Sequence, residues 1–236
     1  MLTGKVQSVV ENGIGEITFS SEKANALSST LLENLIAEVN KVSNKADCKV
    51  IYLRSVGKSF CAGAYFDEVK SLQSQKDAEK FFSLFGLVTV ALREANQPVV
   101  IRMQGKAVGG GVGLAASGDL VFGEVESFVK LSEFEVGIGP FVISPILESK
   151  IGASRLMELA LLSDWKDSSW CQSSGLLTDV FENPEVLDLK IQEQLTRICS
   201  FPSEAVANLK QLVNPKELRK LVLERAKLSA KALLRL

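Results

Sequence analysis

The sequence predicts an α/β fold, on three observations. Apolar strands and helical stretches alternate through short connections over the first three quarters of the chain. An Asn12-Gly13 pair sits between two apolar runs near the start. The strand Pro98–Met103 runs through three consecutive glycines, Gly109–Gly111, into a helix of small residues. Recurring strand–helix–strand units imply crossover connections in an α/β core. After Asn183-Pro184 the texture changes to helices alone, which predicts a helical C-terminal section.

Asn-Gly between apolar runs is the strongest short hairpin signal, so Val6–Val10 and Ile14–Phe19 should pair. Ser20–Ala26 reads as a polar connection. Ser28 or Ser29 should cap a helix from Thr30 to about Val42, whose Leu31, Leu32, Leu35, Ile36 and Val39 recur at helical spacing. Lys49–Leu53 reads as a short buried strand, Arg54–Gly63 as a loop and Ala64–Leu72 as a helix start. Lys76–Glu94 is a longer helix, with Phe81, Phe82, Leu84, Phe85, Val88 and Leu92 inward. Beyond the glycines, Asp119–Phe122 and Ser127–Lys130 read as strands and Leu131–Val142 as an irregular loop. Ile143–Lys150 and Ser154–Leu162 read as helices, Ser168–Ser174 as a short helix ended by Gly175, and Leu177–Phe181 as an edge strand. Glu185–Ser200, Ser203–Val213 and Pro215–Leu236 are amphipathic helices. No internal repeat is visible.

Composition excludes several classes of function. With 236 residues, 46% hydrophobic and 23% charged, the chain has an ordinary globular balance. No apolar run reaches the roughly 18 residues of a membrane span, so no membrane partner is expected. The first residues show no basic segment followed by an apolar one, and the four cysteines are scattered without a CxxC pair. These features predict no secretory leader, no metal site and a cytoplasmic location. There is no histidine. That excludes a Ser-His-Asp triad, a Cys-His pair and histidine-ligated metals. Proton transfer falls to a carboxylate, Tyr, Lys, Cys or water. A net charge of −1 argues against nucleic acid as a partner of the whole chain. The segment from Leu209 to Leu236 nevertheless carries eight basic residues against two acidic ones. It reads as a solvated face or as a phosphate contact on a neighbouring subunit.

The Lys106–Ala116 stretch is the first candidate site. Glycines at a strand-to-helix junction leave backbone N–H groups uncovered, and the first N–H groups of a helix lack partners inside it. The spacing fits neither a P-loop nor a dinucleotide fingerprint. Either the glycines serve tight helix–sheet packing, or they receive a developing oxyanion. The loop Lys58–Tyr65 is the second candidate. It too passes from strand to helix through small residues, and its N–H at Ala64 would be open. One N–H from each loop makes a two-donor oxyanion hole.

Three motifs, Phe60-Cys-Ala-Gly-Ala64, Gln104-Gly-Lys-Ala-Val-Gly-Gly-Gly111 and Phe128-Val-Lys-Leu-Ser-Glu133 followed by Gly137, together resemble the enoyl-CoA hydratase/isomerase (crotonase) family. Lys23-Ala-Asn-Ala-Leu27 resembles that family's first acyl-CoA contact. The resemblance runs from about residue 5 to residue 182 and implies a crotonase-like spiral of ββα units over 1–182. Residues 183–236 would then form a helical oligomerisation section building a homotrimer or a dimer of trimers. It implies an acyl-CoA thioester substrate, with coenzyme A part of the substrate and no separate cofactor. The thioester oxygen would sit between the N–H groups of Ala64 and Gly110, with Lys23, Ala24, Ala26, Ala62, Tyr65, Phe66 and Gly109 as substrate contacts.

The resemblance also has departures. Hydratases of the family carry a Glu three residues after the oxyanion glycine, where this chain has Gly113. The second family Glu matches Glu133, which remains as a lone acid/base. Tyr65 stands where the family commonly has Asp, and reads as a proton donor or as pocket lining. The run Gly109–Leu114, then Leu131-Ser-Glu133, then Val142–Pro145 is similar to bacterial methylglutaconyl-CoA hydratases. Hydration of a short or branched enoyl-CoA is therefore the first expectation. Single-glutamate double-bond isomerisation and a non-catalytic acyl-CoA binder remain as alternatives.

Overall fold

The computed structural model describes residues 3–214 and 216–235. Met1, Leu2, Pro215 and Leu236 lie outside the described residues, and with them the predicted ends of the last helix. β1 (Gly4–Glu11) and β2 (Ile14–Ser21) form the expected antiparallel hairpin. Asn12 and Gly13 both have positive φ, 52° and 83°, the requirement of a two-residue turn whose twist matches the strands. β2 then pairs in parallel with β3 (Val50–Ser55), β3 with β4 (Val99–Met103), β4 with β6 (Leu120–Glu124) and β6 with β8 (Asp179–Phe181). The sheet order is β1-β2-β3-β4-β6-β8.

β4 is buried along its whole length, as a parallel strand covered on both faces should be. One face, with Ile17, Ile51, Leu53 and Ile101, belongs to the main core beneath α1 (Ser29–Ser43) and α3 (Gln75–Glu94). The other, with Val50, Tyr52, Val100 and Phe122, is covered by Leu187, Ile191 and Leu195 of α7 (Pro184–Cys199). Asn183 begins α7 by accepting a hydrogen bond from the Val186 N–H at 2.9 Å, with Pro184 at the first helical position.

A second, smaller parallel sheet positions the site. β5 (Lys106–Val108) pairs with β7 (Phe128–Lys130), and single bridges extend it from Cys61 to Ala107 and from Val129 to Lys166; a further bridge joins Leu27 to Ala64. Each turn of chain thus runs from a long strand through a short extended piece into a helix. β4, β5 and α4 (Gly110–Ala116) make one such turn; β6, β7 and α5 (Ser144–Leu162) make the next. This is the ββα spiral. Its short strands of about three residues leave no periodic imprint, which is why the sequence shows no repeat and why β5 was expected only as part of a glycine loop. The two helices expected at 143–150 and 154–162 are both present within the span of α5, separated at Gly152, whose φ of 75° and ψ of 160° are not helical.

α2 (Phe66–Ser71) is short, and α6 (Ser168–Ser173) precedes β8. α8 (Ser203–Val213) and α9 (Leu218–Leu233) complete the all-helical end. α9 packs back onto the main core through Val222, Ala226 and Ala230. Gly86 of α3 permits this approach: a Cβ there would lie 2.6 Å from Val222 Cβ. The basic end is not uniformly solvated. Lys210 is buried and donates to the Leu92 and Gln97 carbonyls at 3.0 and 2.7 Å, beside Asp119 at 3.0 Å. Arg219 pairs with Glu94, and Arg225 donates to Ser144 Oγ. No helix among the described residues is long and apolar enough to cross a membrane.

Candidate active site

Three successive turns of the spiral meet through the small sheet. The Cys61 N–H donates to the Lys106 carbonyl at 3.2 Å, and the Val108 N–H to the Cys61 carbonyl at 2.9 Å. The Gly109 N–H donates to the Lys130 carbonyl at 2.9 Å, tying the glycine turn to the strand that ends just before Glu133. These bonds set the Ala64, Gly110 and Glu133 loops side by side. Contact between the first two is close. A Cβ on Gly63 would stand 2.6 Å from the Val108 oxygen and 3.4 Å from the Gly110 nitrogen.

All three residues line one cavity of about 320 Å³. The bridge at Ala64 uses its neighbours, with the Leu27 N–H donating to the Gly63 carbonyl and the Tyr65 N–H to the Leu27 carbonyl. Among the described residues neither the Ala64 nor the Gly110 N–H has an acceptor. Gly110 is the first residue of α4, where helix N–H groups have no internal partner. Gly109 before it has φ 52° and ψ −120°, a conformation that an L side chain resists.

Glu133 is the only ionisable side chain among the lining residues. The residue is half-buried, yet its Oε2 is shut off from water and has no hydrogen-bond partner among the described residues. Desolvation disfavours the carboxylate form and pushes the pKa up to about 7, against a smaller opposing pull from the Glu133 and Ser132 N–H groups. The surrounding wall is apolar, with Phe82 and Phe85 from α3 and Ile138, Val142 and Ile143 from the loop before α5.

The other expected contacts divide. Ala62, Phe66 and Gly109 line the cavity; Tyr65 does not. Tyr65 is half-buried at the start of α2, outside the cavity lining, and the nearby Asp67 carboxylate raises its pKa, so the pocket-lining expectation is not met. Lys23 and Ala24 are exposed, outside the cavity, but the Ala62 N–H donates to the Ala24 carbonyl at 3.0 Å, so that turn abuts the site. Ala26 is buried away from the cavity, its carbonyl accepting from Ser21 Oγ. Glu68 faces α1, accepting from the Ser29 N–H at 3.1 Å. Cys61 is fully buried, and burial pushes its thiol up to about 12, so it packs as a neutral group.

Two positioning residues escaped sequence reasoning. Buried Asn25 accepts from the Ser21 N–H at 2.9 Å and donates to the Val56 and Ser59 carbonyls, both at 2.8 Å. Buried Gln104 donates to the Ser55 carbonyl at 3.0 Å and to Gly57 at 3.2 Å. Together they clamp the loop that presents Ala64. Positive φ at Ala24 and Asn25 was the available signal for a tight turn, invisible without coordinates.

Comparison with known proteins agrees with this geometry. The sequence profile described as Enoyl-CoA hydratase/isomerase matches residues 9–231. This chain belongs to the enoyl-CoA hydratase/isomerase family. Among its relatives is the peroxisomal Delta(3,5)-Delta(2,4)-dienoyl-CoA isomerase of Arabidopsis thaliana, 26% identical over 70% of this chain and 63% of that protein. Ethylmalonyl-CoA decarboxylase of Rattus norvegicus is 30% identical over 86% of this chain and 69% of that protein. The chain thus spans less than two thirds of the length of some curated relatives. An enoyl-CoA hydratase structure from Bacillus halodurans superposes with TM-score 0.91 at 21% identity, covering 97% of this chain and 94% of that one. The Mycobacterium smegmatis enoyl-CoA hydratase gives TM-score 0.82 at 25% identity, covering 88% and 81%. Gly113, which the sequence resemblance matched to a hydratase glutamate, lies buried in α4. A Cβ there would meet Ile143 Cγ2 at 2.5 Å, so an aliphatic side chain fills that space.

Proposed function

We propose that this family member is an acyl-CoA enzyme that forms and reprotonates a thioester enolate with one carboxylate. The observation that carries the proposal is the meeting of two acceptor-free amides and one desolvated carboxyl on a single apolar cavity. The thioester oxygen accepts from Ala64 and Gly110. As charge moves from the α-carbon to that oxygen, the two donors stabilise it; removing one donor from such a hole typically costs about 10²–10³ in rate. Glu133, half-ionised near neutral pH, takes the proton.

The single carboxylate favours double-bond isomerisation. Glu133 removes a proton from C2 of a 3-enoyl thioester, the electron pair delocalises onto the thioester oxygen, and the Glu133 carboxyl, whose proton exchanges with water, delivers a proton to C4 to give the 2-enoyl thioester. Hydration is the second reading, supported by the similarity of the segment around Val142–Pro145 to methylglutaconyl-CoA hydratases. There, the Glu133 carboxylate takes a proton from water as the water oxygen bonds to C3, and returns that proton to C2 of the resulting enolate. The exposed Lys23–Ala24 turn would meet the coenzyme A portion beyond the cavity mouth, and a neighbour's basic α9 the nucleotide phosphates in a trimer or paired trimers.

Incubation with 3-hexenoyl-CoA, crotonyl-CoA and methylglutaconyl-CoA separates these readings. Isomerisation leaves the mass unchanged and shifts the double bond, whereas hydration adds one water. Binding of every thioester with no product from any of them contradicts the enzymatic reading and leaves an acyl-CoA-binding protein.

A further inference from the structure

Two buried side-chain oxygens lack a hydrogen-bond partner among the described residues, Glu133 Oε2 and Ser229 Oγ. Both residues line the same cavity. Glu133 has a role in the proposed chemistry; Ser229, on α9, has none so far. It is 1% exposed. A buried hydroxyl left unpaired costs about 1–3 kcal/mol and calls for an explanation.

Packing does not supply that explanation. Leu218, Val222, Ala226 and Ala230 complete the buried face of α9, and an alanine would fill position 229 equally well. Nor is the hydroxyl satisfied by its own helix. Elsewhere Ser117 donates to the Gly113 carbonyl at 2.8 Å and Thr89 to the Gly86 carbonyl at 2.7 Å, but Ser229 makes no such bond. The residue instead lines the cavity, with its hydroxyl unpartnered. Ser229 also stands on a different wall from the reacting groups. Ala64, Gly110 and Glu133 follow the short extended segments at Cys61, β5 and β7, whereas α9 packs against α3 and α5.

We infer that Ser229 is a specificity-determining residue that hydrogen-bonds a neutral polar group on the distal part of the acyl chain. This deepens the acyl-CoA reading and rests on it. The substrate class becomes short acyl-CoA thioesters carrying a hydroxyl or carbonyl beyond the reacting carbons. A distal carboxylate, that of methylglutaconyl-CoA included, fits poorly, because no cation lines the cavity and a second negative charge would share it with Glu133, so any hydration would act on an uncharged acyl chain.

The test is calorimetric titration of the full chain and its Ser229→Ala variant with three unreactive saturated thioesters: hexanoyl-CoA, 5-oxohexanoyl-CoA and adipoyl-CoA. Wild type should bind the keto chain more tightly than the other two. Ser229→Ala should weaken the keto chain about tenfold and leave hexanoyl-CoA unchanged, since losing one hydrogen bond in a dry site is worth about that much. The variant's Tm should not fall, because removing an unpaired hydroxyl relieves a cost. Equal effects on the keto and alkyl chains, tightest binding of adipoyl-CoA, or a lowered Tm would overturn the assignment of Ser229 while leaving the acyl-CoA reading intact. Binding of none of the three overturns both.

Discussion

A side-chain carbon on Gly109 would stand 2.9 Å from Glu133 Oε1. The two residues share a wall with no room between them, so the turn that presents the Gly110 N–H also fixes the reach of the carboxyl. The Gly109 N–H bond to Lys130 couples the same two loops through the backbone. Gly109→Ala should therefore do two kinds of damage. It strains a backbone at φ 52° and ψ −120°, and it pushes Glu133 out of line. Turnover of an enoyl-CoA should fall by about 10² or more, the usual cost of misplacing a reacting group by about an ångström. Steady-state kinetics beside a coenzyme A binding measurement checks this; unchanged kcat would separate Gly109 from the site.

Glu133 should govern the pH dependence. Its carboxyl is raised from an ordinary 4.5 to about 7 by desolvation. As a base it must be ionised, so kcat/KM should rise as pH passes through about 7. Stability should run the other way. Below pH about 4.5 the group is protonated both folded and unfolded; between there and 7 the unfolded chain releases a proton that the folded one retains. The stabilising contribution of the neutral carboxyl is thus lost as pH rises through 7. Glu133→Gln should gain about 1–3 kcal/mol over wild type between pH 5 and pH 8. Urea melts across that range measure it, and parallel curves for the two proteins would contradict it.

Gly113 and Ile143 make a third test. Because Ile143 fills the space beside Gly113, Gly113→Ala should cost about 1–3 kcal/mol by overpacking. Combining it with Ile143→Ala, which removes the Cγ2 that a Cβ at 113 would meet at 2.5 Å, should recover part of that loss, so the two changes should be non-additive in a double-mutant cycle. Additive penalties would show that the two side chains do not compete for one space.

Much of this was readable in the sequence. The hairpin at Asn12-Gly13, the cap at Ser28 and the inward face of α3 follow from local chemistry, and the structure repeats them. The glycine runs and Glu133 were legible as a set because their motifs are specific in combination. Three things were hidden. The short strands β5 and β7 exist only through pairing with each other, so no periodicity marks them. Tyr65 looked like a pocket residue by its position beside Ala64, but it is not among the residues that line the cavity. Ser229 sits inside an ordinary amphipathic pattern as one more small residue, and only the packing of α9 onto α3 brings it to the cavity. Lys210 was likewise masked by a basic stretch of chain, although it is buried against Asp119.

The central claim is that Glu133 moves a proton on an acyl thioester whose oxygen is held by Ala64 and Gly110. The most direct measurement is deuterium uptake from heavy water into 3-hexenoyl-CoA, followed by mass for wild type and Glu133→Gln at equal thioester occupancy. Wild type should incorporate deuterium, and the variant should bind the thioester yet lose incorporation by about 10² or more. Incorporation at the same rate in both proteins would contradict the account.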